Sequence, residues 1–333
     1  MRIAYHLATP PAPLPSLDAA VQEVDALRAA FGGTLTQLYP AASYHAWVPR
    51  RWLLPSQVRR IVALDREVDL HHLVSDRLLP FPVLTQLRRP VIYRLLTSPE
   101  RQPRGLAALS GPVVVSSVLE AERLRGWGAA KVEVIAPGID LERFRRVKAP
   151  PAGPFTVMMA SAPWTRRQFA TKGVDALLEA LSRRPAMRLI LLWRGVLTEA
   201  AQRRIETAGL EKRVELIRRP VDVARVLGRV HIVVLATTSP RVVKAYPHSL
   251  LEGLAAGRPI LTSPQLAIAE WIRARGGGEV VECAPDPLGS ALDRLMADYE
   301  PYRAAARGLD LGRFSITTYV DSYHQLYQSL MSR

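Results

Sequence analysis

Of 333 residues only Cys283 is a cysteine, and asparagine is absent altogether. A lone thiol builds neither a disulfide framework nor a cysteine-based zinc site. No apolar run approaches the roughly 20 residues that span a bilayer. The amino terminus, MRIAYHLATPPAP, lacks the apolar stretch of a signal peptide. Together these absences lead us to expect a soluble, cytoplasmic protein. Lysine is scarce as well, with five (Lys131, Lys148, Lys172, Lys212 and Lys244) among 45 basic residues. Few thermolabile side chains suggest a hot-growing source. Acidic residues number 30, which leaves a formal charge of +15, split as +7 before Pro151 and +8 from it onward. Such a surplus suits a nucleic acid, an anionic membrane surface or a phosphorylated substrate. The even spread, without a recognised motif, speaks against nucleic acid. What is present is ordinary: 48% hydrophobic and 23% charged residues mark a globular chain, and its length suggests two domains.

Short β-branched runs alternate with amphipathic helical patterns, the signature of α/β units with parallel sheets. Strands are expected at 2–7, TLTQLY, 68–74, 90–96, 112–117 and 131–137. A helix carrying Leu17, Val21, Val24, Leu27 and Phe31 follows the first strand, with Ser16 as its cap, and VLEAERLRGWG is a further helix. The stretch 147–154, with its consecutive prolines, reads as a linker. A second series then gives strands at 155–161, 187–193, 213–217, 230–236, 258–263 and 278–283. Helices are expected at 173–183, 198–209, 221–228, 248–256 and 265–275. Two Rossmann-like domains are therefore expected over 1–149 and 150–313, with a closing helix at about 314–333 that packs back on the first. Ligands of such sheets sit at the carboxyl ends of the strands.

The strongest local signal is Tyr246 to Ile260, YPHSLLEGLAAGRPI. Pro247 suits the start of a helix and Ser249 its first turn. The N–H groups of Ser249, Leu250 and Leu251 would then offer a diphosphate site at the positive end of the dipole, with Glu252 one turn in to accept from ribose hydroxyls. The plainer alternative is a buried helix; it fits the side chains of Leu250, Leu251 and Leu254, whereas Glu252 fits a functional role. Trp47 to Arg60 mixes aromatics with arginines. It suits an interfacial patch on anionic lipid, an arginine-stacked loop over a polar acceptor, or a Trp-anchored core loop. Pro49 and Pro55 interrupt any single amphipathic helix there.

YPHSLLEGLAAGRPILTS resembles the donor-binding segment of family-four retaining glycosyltransferases of bacterial type, which have the GT-B fold. KVEVIAPGIDLERF, TKGVDALLEAL and RVELIRRPVDVARVLGRVHIVVLATTS resemble the family in the same order, covering roughly residues 110 to 282. The resemblance implies sugar transfer from a nucleotide-diphospho-sugar to a glycan or lipid-linked acceptor, in cell-envelope or glycan biosynthesis. Such an enzyme would need no metal and could work peripherally on the inner face of the cell membrane. It also implies that Lys172 binds the donor diphosphate, with Arg166 or Arg167 as its partner, and that His248, Ser249, Leu250, Leu251 and Glu252 form the rest of the donor site. Of the two glutamates usual in the family, separated by seven residues, the second is Glu252 and the first is replaced by Lys244. A cation there cannot accept from sugar hydroxyls but can hold a diphosphate or an acidic sugar. The family's glycine-rich loop is replaced by Thr9-Pro10-Pro11-Ala12-Pro13. Where it often has a histidine facing the transferred sugar, this chain has His71-His72, of which at most one faces the ligand; the spacing favours His72. Two other readings compete. A non-catalytic binding module would explain Lys244, and a sugar-nucleotide epimerase would require a carboxylate pair that the sequence does not offer.

Overall fold

The computed structural model describes residues 1–9, 18–38, 54–76, 86–103, 106, 109–161, 163–193 and 197–332. The chain forms two compact units, Met1–Gly138 with Ile316–Arg333, and Ile139–Ser315. The first carries a parallel sheet of β1 (Ile3–Ala8), β2 (Thr34–Gln37), β3 (Leu70–Ser75), β4 (Val91–Leu95), β5 (Val113–Val115) and β6 (Val132–Val134) in the order β2-β1-β3-β4-β5-β6. Its strands are buried throughout along β1, β3, β4 and β5, as expected where helices cover both faces of a parallel sheet.

The helices of this unit are α1 (Ala19–Phe31), α2 (Leu54–Leu64) and α3 (Val118–Gly126). Asp18 caps α1 through a bond from the Ala20 N–H at 2.8 Å, not Ser16, which lies outside the described residues. In α3, Ser117 and Glu120 form a capping box. Helix α2 begins one residue before Pro55, because proline is tolerated in a first turn where its missing N–H has no partner to lose. The Trp47–Leu53 part of the aromatic and arginine segment, and Pro10–Pro13, lie outside the described residues.

The second unit contains α4 (Leu141–Arg145), then β7 (Phe155–Met159), β8 (Met187–Leu192), β9 (Val214–Ile217), β10 (Ile232–Leu235), β11 (Ile260–Thr262) and β12 (Gly278–Val280). The order is β12-β11-β10-β7-β8-β9, all parallel. Its remaining helices are α5 (Gln168–Thr171), α6 (Val174–Ser182), α7 (Thr198–Thr207), α8 (Val223–Leu227), α9 (His248–Ala255), α10 (Ile268–Arg275), α11 (Pro285–Ala297) and α12 (Tyr299–Arg307). Each sheet, with its helices, is a Rossmann-like domain.

The division between units falls at Gly138, not at the proline-rich stretch 147–154. Two close passages explain it. The Ile139 N–H donates to the Phe314 carbonyl at 2.8 Å, and Ile139 bridges Ser315. Leu141 and Phe144 are buried just beyond, so the chain already belongs to the second unit before its prolines. The closing helix α13 (Ile316–Met331) joins the first unit. Its Tyr319, Tyr323 and Tyr327, one per turn, pack with Ile3, Tyr5 and Val24 in one cluster. Burying each ring contributes about 1.5–3 kcal/mol.

Under α13 lies a charged pair. Arg94 and Glu23 are both nearly inaccessible, with Arg94 Nη2 3.9 Å from Glu23 Oε2. Arg94 also donates to the Ile135 carbonyl and to Ser116 Oγ.

Candidate functional site

In the second sheet the crossover from β7 leads to β8 on one side, while β10 lies on the other. The carboxyl ends of β7 and β10 therefore flank the topological switch point, where open α/β sheets leave a crevice. The two segments that leave these strands carry most of the residues expected to bind a donor.

After β7 the chain runs to α5, which is planted by the buried ring of Phe169. That ring lies 5.5 Å from Trp193, and the Arg204 guanidinium stands 3.9 Å from its centroid. Lys172 closes α5 as its C-cap and is buried, so it ends one helix directly before the one expected over 173–183. Gly173 then turns the chain at φ +71° into α6. The turn is sewn to the end of β10. The Thr171 carbonyl accepts from Thr237 Oγ1 at 2.6 Å and from the Thr238 N–H at 3.0 Å. Thr237 is fixed in turn by Ser263, whose Oγ accepts from the Thr237 N–H and donates to its carbonyl. Sequence reasoning missed Thr237 and Ser263; the signal was two hydroxyl residues directly after apolar strands. Arg166 and Arg167, by contrast, are exposed.

After β10, the loop through Lys244 reaches α9 at Pro247. Loop and helix are anchored by the Ile268 N–H bond to the Ala245 carbonyl and by the Tyr246 ring, 5.2 Å from Phe314. Lys244 is half-buried. Helix α9 has eight residues, and all but Glu252 are buried. An apolar helix packed all round has one way out for a carboxylate, and Glu252 occupies it. His248 and Ser249 are each 7% exposed in the first turn. The N–H groups of Leu250 and Leu251, expected to face a ligand, both donate to the Pro247 carbonyl at 3.1 and 3.2 Å. Of the three N–H groups named from the sequence, only that of Ser249 is not spent on that carbonyl.

His72 is not placed to face a sugar. It is fully buried, with Nδ1 2.8 Å from the Tyr327 hydroxyl and its ring 4.9 Å from Tyr323. Burial, reinforced by Arg94, lowers its pKa to about 3. The imidazole is therefore neutral and shares a hydrogen bond between Nδ1 and the Tyr327 hydroxyl: a core histidine under α13. His71 is equally inaccessible and stands between His6, at 2.8 Å, and Asp65, at 3.2 Å. Burial lowers its pKa against the pull of Asp65. Cys283 is no nucleophile, since burial and Glu282 push its thiol up to about 11. Among the described residues no three His, Cys, Asp or Glu side chains are grouped to hold a metal, and no helix is long and apolar enough to cross a membrane.

A model of the family "Glycosyl transferases group 1" matches residues 162–308, which include both segments of the site. No curated protein matches the chain by sequence. Among solved structures, Alr3699/HepE of Anabaena in complex with UDP and glucose superposes with a TM-score of 0.78 at 18% identity, over 99% of this chain and 100% of that one. Sucrose-phosphate synthase of Thermosynechococcus elongatus gives 0.75 at 18%, over the whole of both chains. WaaG, a glycosyltransferase involved in lipopolysaccharide biosynthesis, gives 0.69 at 14%, over 96% of this chain and 99% of that one. Residues 162–308 of the second unit are thus similar to the glycosyl transferases group 1 family, in a chain with the GT-B fold.

Proposed function

We propose that this protein is a retaining glycosyltransferase of the family-four type, moving a hexosyl group from a nucleotide-diphospho-sugar to a glycan or lipid-linked acceptor. The observation that carries the reading is the pairing, at one switch point, of the buried Lys172 turn with α9 and its outward Glu252, inside the stretch that matches the family. HepE has been solved with UDP and UDP-glucose, which supports a donor of that class here. Lys172 would neutralise the diphosphate as the glycosidic bond breaks, helped by Arg166 or Arg167 from the loop before α5. The Ser249 N–H and His248, at the positive end of α9, would hold the same group. Glu252 would accept from the ribose hydroxyls.

Transfer with retention would proceed by attack on the face that the leaving group departs from, the departing phosphate taking the acceptor's proton. No metal is required in this scheme, because fixed cations take up the leaving charge. Chelation with EDTA should leave activity intact. The positive surface suits an anionic acceptor at the inner face of the cell membrane.

A melting screen against UDP-, GDP-, dTDP-, ADP- and CMP-sugars tests the donor site, since a true donor stabilises the native state in a dose-dependent way. Lys172→Ala and Glu252→Ala should each weaken that shift while leaving the unliganded midpoint near that of the parent. Unchanged affinity in both would remove the proposed site. Lys244 favours a second reading, a non-catalytic binding module, because the chain has a cation where the resemblance expects a glutamate. Donor binding without turnover in any acceptor mixture would favour it. Lys244→Glu should change donor preference if that side chain faces the sugar.

A further inference from the structure

The opposite end of the second sheet, where the strands begin, holds a cavity of about 280 Å³. One wall is a register row. Thr156 on β7 stands beside Arg188 on β8, and Ile190, two residues on, stands beside Glu215 on β9. Side chains alternate along a strand, so Thr156, Arg188 and Glu215 share one face of the sheet. Lys212 and Arg213, just before β9, and Arg229, before β10, complete the charged lining. Four cations therefore meet one carboxylate around a single hollow.

Their partners divide them. Arg213 Nη1 donates to the carbonyls of Leu181 and Arg184 at 2.9 and 2.8 Å, which fixes its guanidinium against the end of α6. Arg229 is paired with Glu215, so the one acidic group of the lining is already engaged. Arg188 and Lys212 form no hydrogen bond or ion pair among the described residues. Nearby arginines of the same unit are matched instead: Arg184 to Asp293, Arg183 to Asp286 and Arg204 to Asp175. His231 adds a neutral donor. Its Nδ1 accepts from the Thr156 N–H at 3.0 Å, which leaves the proton on Nε2. Burial, with Arg258 behind it, holds its pKa below the usual value.

Like charges gathered without counter-charge repel one another, and an anion relieves that cost. Planar guanidinium groups match phosphate oxygens in pairs, while a lysine supplies a mobile point charge. The hollow is too large for a simple halide and of a size to take a phosphoryl group with part of what it is attached to.

We infer that this cavity is a second anion site that takes a phosphoryl-bearing ligand, held by Arg188, Lys212 and Arg213. It is separate from the proposed donor site. The strand β7 between them has five residues, roughly 16 Å at about 3.3 Å per residue. The ligand is either a small phosphate ester or the headgroup of a phospholipid.

The test uses inorganic pyrophosphate and the full chain, in a Lys172→Ala background so that the donor site does not contribute. Calorimetric titration should show salt-sensitive binding in Lys172→Ala. Adding Arg188→Ala and Lys212→Ala should weaken it roughly ten-fold or more. Both added positions are exposed, so the melting midpoint should stay within a degree or two. Pyrophosphate binding that is absent in Lys172→Ala, or unchanged in the triple variant, overturns the inference. Co-sedimentation with phosphatidylglycerol vesicles, against phosphatidylcholine alone, then identifies the source. Vesicle binding lost in Arg188→Ala/Lys212→Ala points to a headgroup, and vesicle binding unaffected while pyrophosphate binding falls points to a small ester. The fate of the donor reading rests on Lys172→Ala and Glu252→Ala, and either outcome there leaves this result standing.

Discussion

Replacing Gly173 with alanine should unsettle both the second unit and the proposed donor site. The residue sits at φ +71°, and a Cβ there would lie 2.5 Å from the Ala236 carbonyl oxygen and 2.9 Å from Cys283 Sγ. The left-handed backbone alone costs an alanine about 1–2 kcal/mol. Ala236 lies at the end of a central strand and cannot retreat freely, so the clash adds about 1–3 kcal/mol of overpacking. Gly209 provides the internal control. It has nearly the same dihedral, φ +64°, after α7, with nothing within 4 Å of an added Cβ. Gly209→Ala should therefore pay only the backbone term, and the difference between the two variants, about 1–3 kcal/mol, isolates the clash. At about 2–4 °C per kcal/mol for a unit of this size, calorimetry and urea unfolding resolve the difference. Because Gly173 follows Lys172 directly, Gly173→Ala should also weaken affinity for a nucleoside diphosphate, and Gly209→Ala should not. Equal destabilisation by both variants would refute the packing of the Lys172 turn against β10.

Two further expectations concern the first unit. His6 and His72 are buried neutral, each with a pKa lowered to about 3 chiefly by burial, whereas an unfolded histidine titrates near 6.5. The unfolded state therefore binds more protons below pH 6.5, and stability falls as pH drops from there toward 3. Each ring should cost about 2 kcal/mol between pH 7.5 and 5; a urea midpoint that does not move over that range would contradict their burial. Arg94→Met should destabilise the first unit by about 3–5 kcal/mol, because it strands the Glu23 carboxylate away from water. Arg94→Met/Glu23→Leu should recover most of that loss, and the comparison of their melting midpoints checks the pair.

The alternating pattern of apolar runs and amphipathic segments made the two α/β sheets legible, because strands buried on both faces and helices buried on one leave distinct periods. YPHSLLEGLAAGRP announced α9 for the same reason, and the lone carboxylate of that helix, Glu252, emerged as its one position that is not buried. The proline-rich stretch 147–154 announced a break but not its place. A local composition cannot register that Ile139 is bonded to Phe314, 175 positions further along the chain. The same holds for His72. Its strand position was readable, but the helix that seals it comes from the far carboxyl end of the chain.

The sequence by itself determined the class of fold, the order of the strands along the chain and the likeness of the second unit to a family of glycosyltransferases, since these depend on periodicity and on motifs of contiguous residues. Only the tertiary structure decided which N–H groups of α9 are spent on Pro247, that Lys172 closes a helix stitched to β10, and that Arg188, Lys212 and Arg213 surround one hollow. Those outcomes turn on hydrogen bonds and charges between residues distant in the chain, and such pairings exist only once the sheet has set its register.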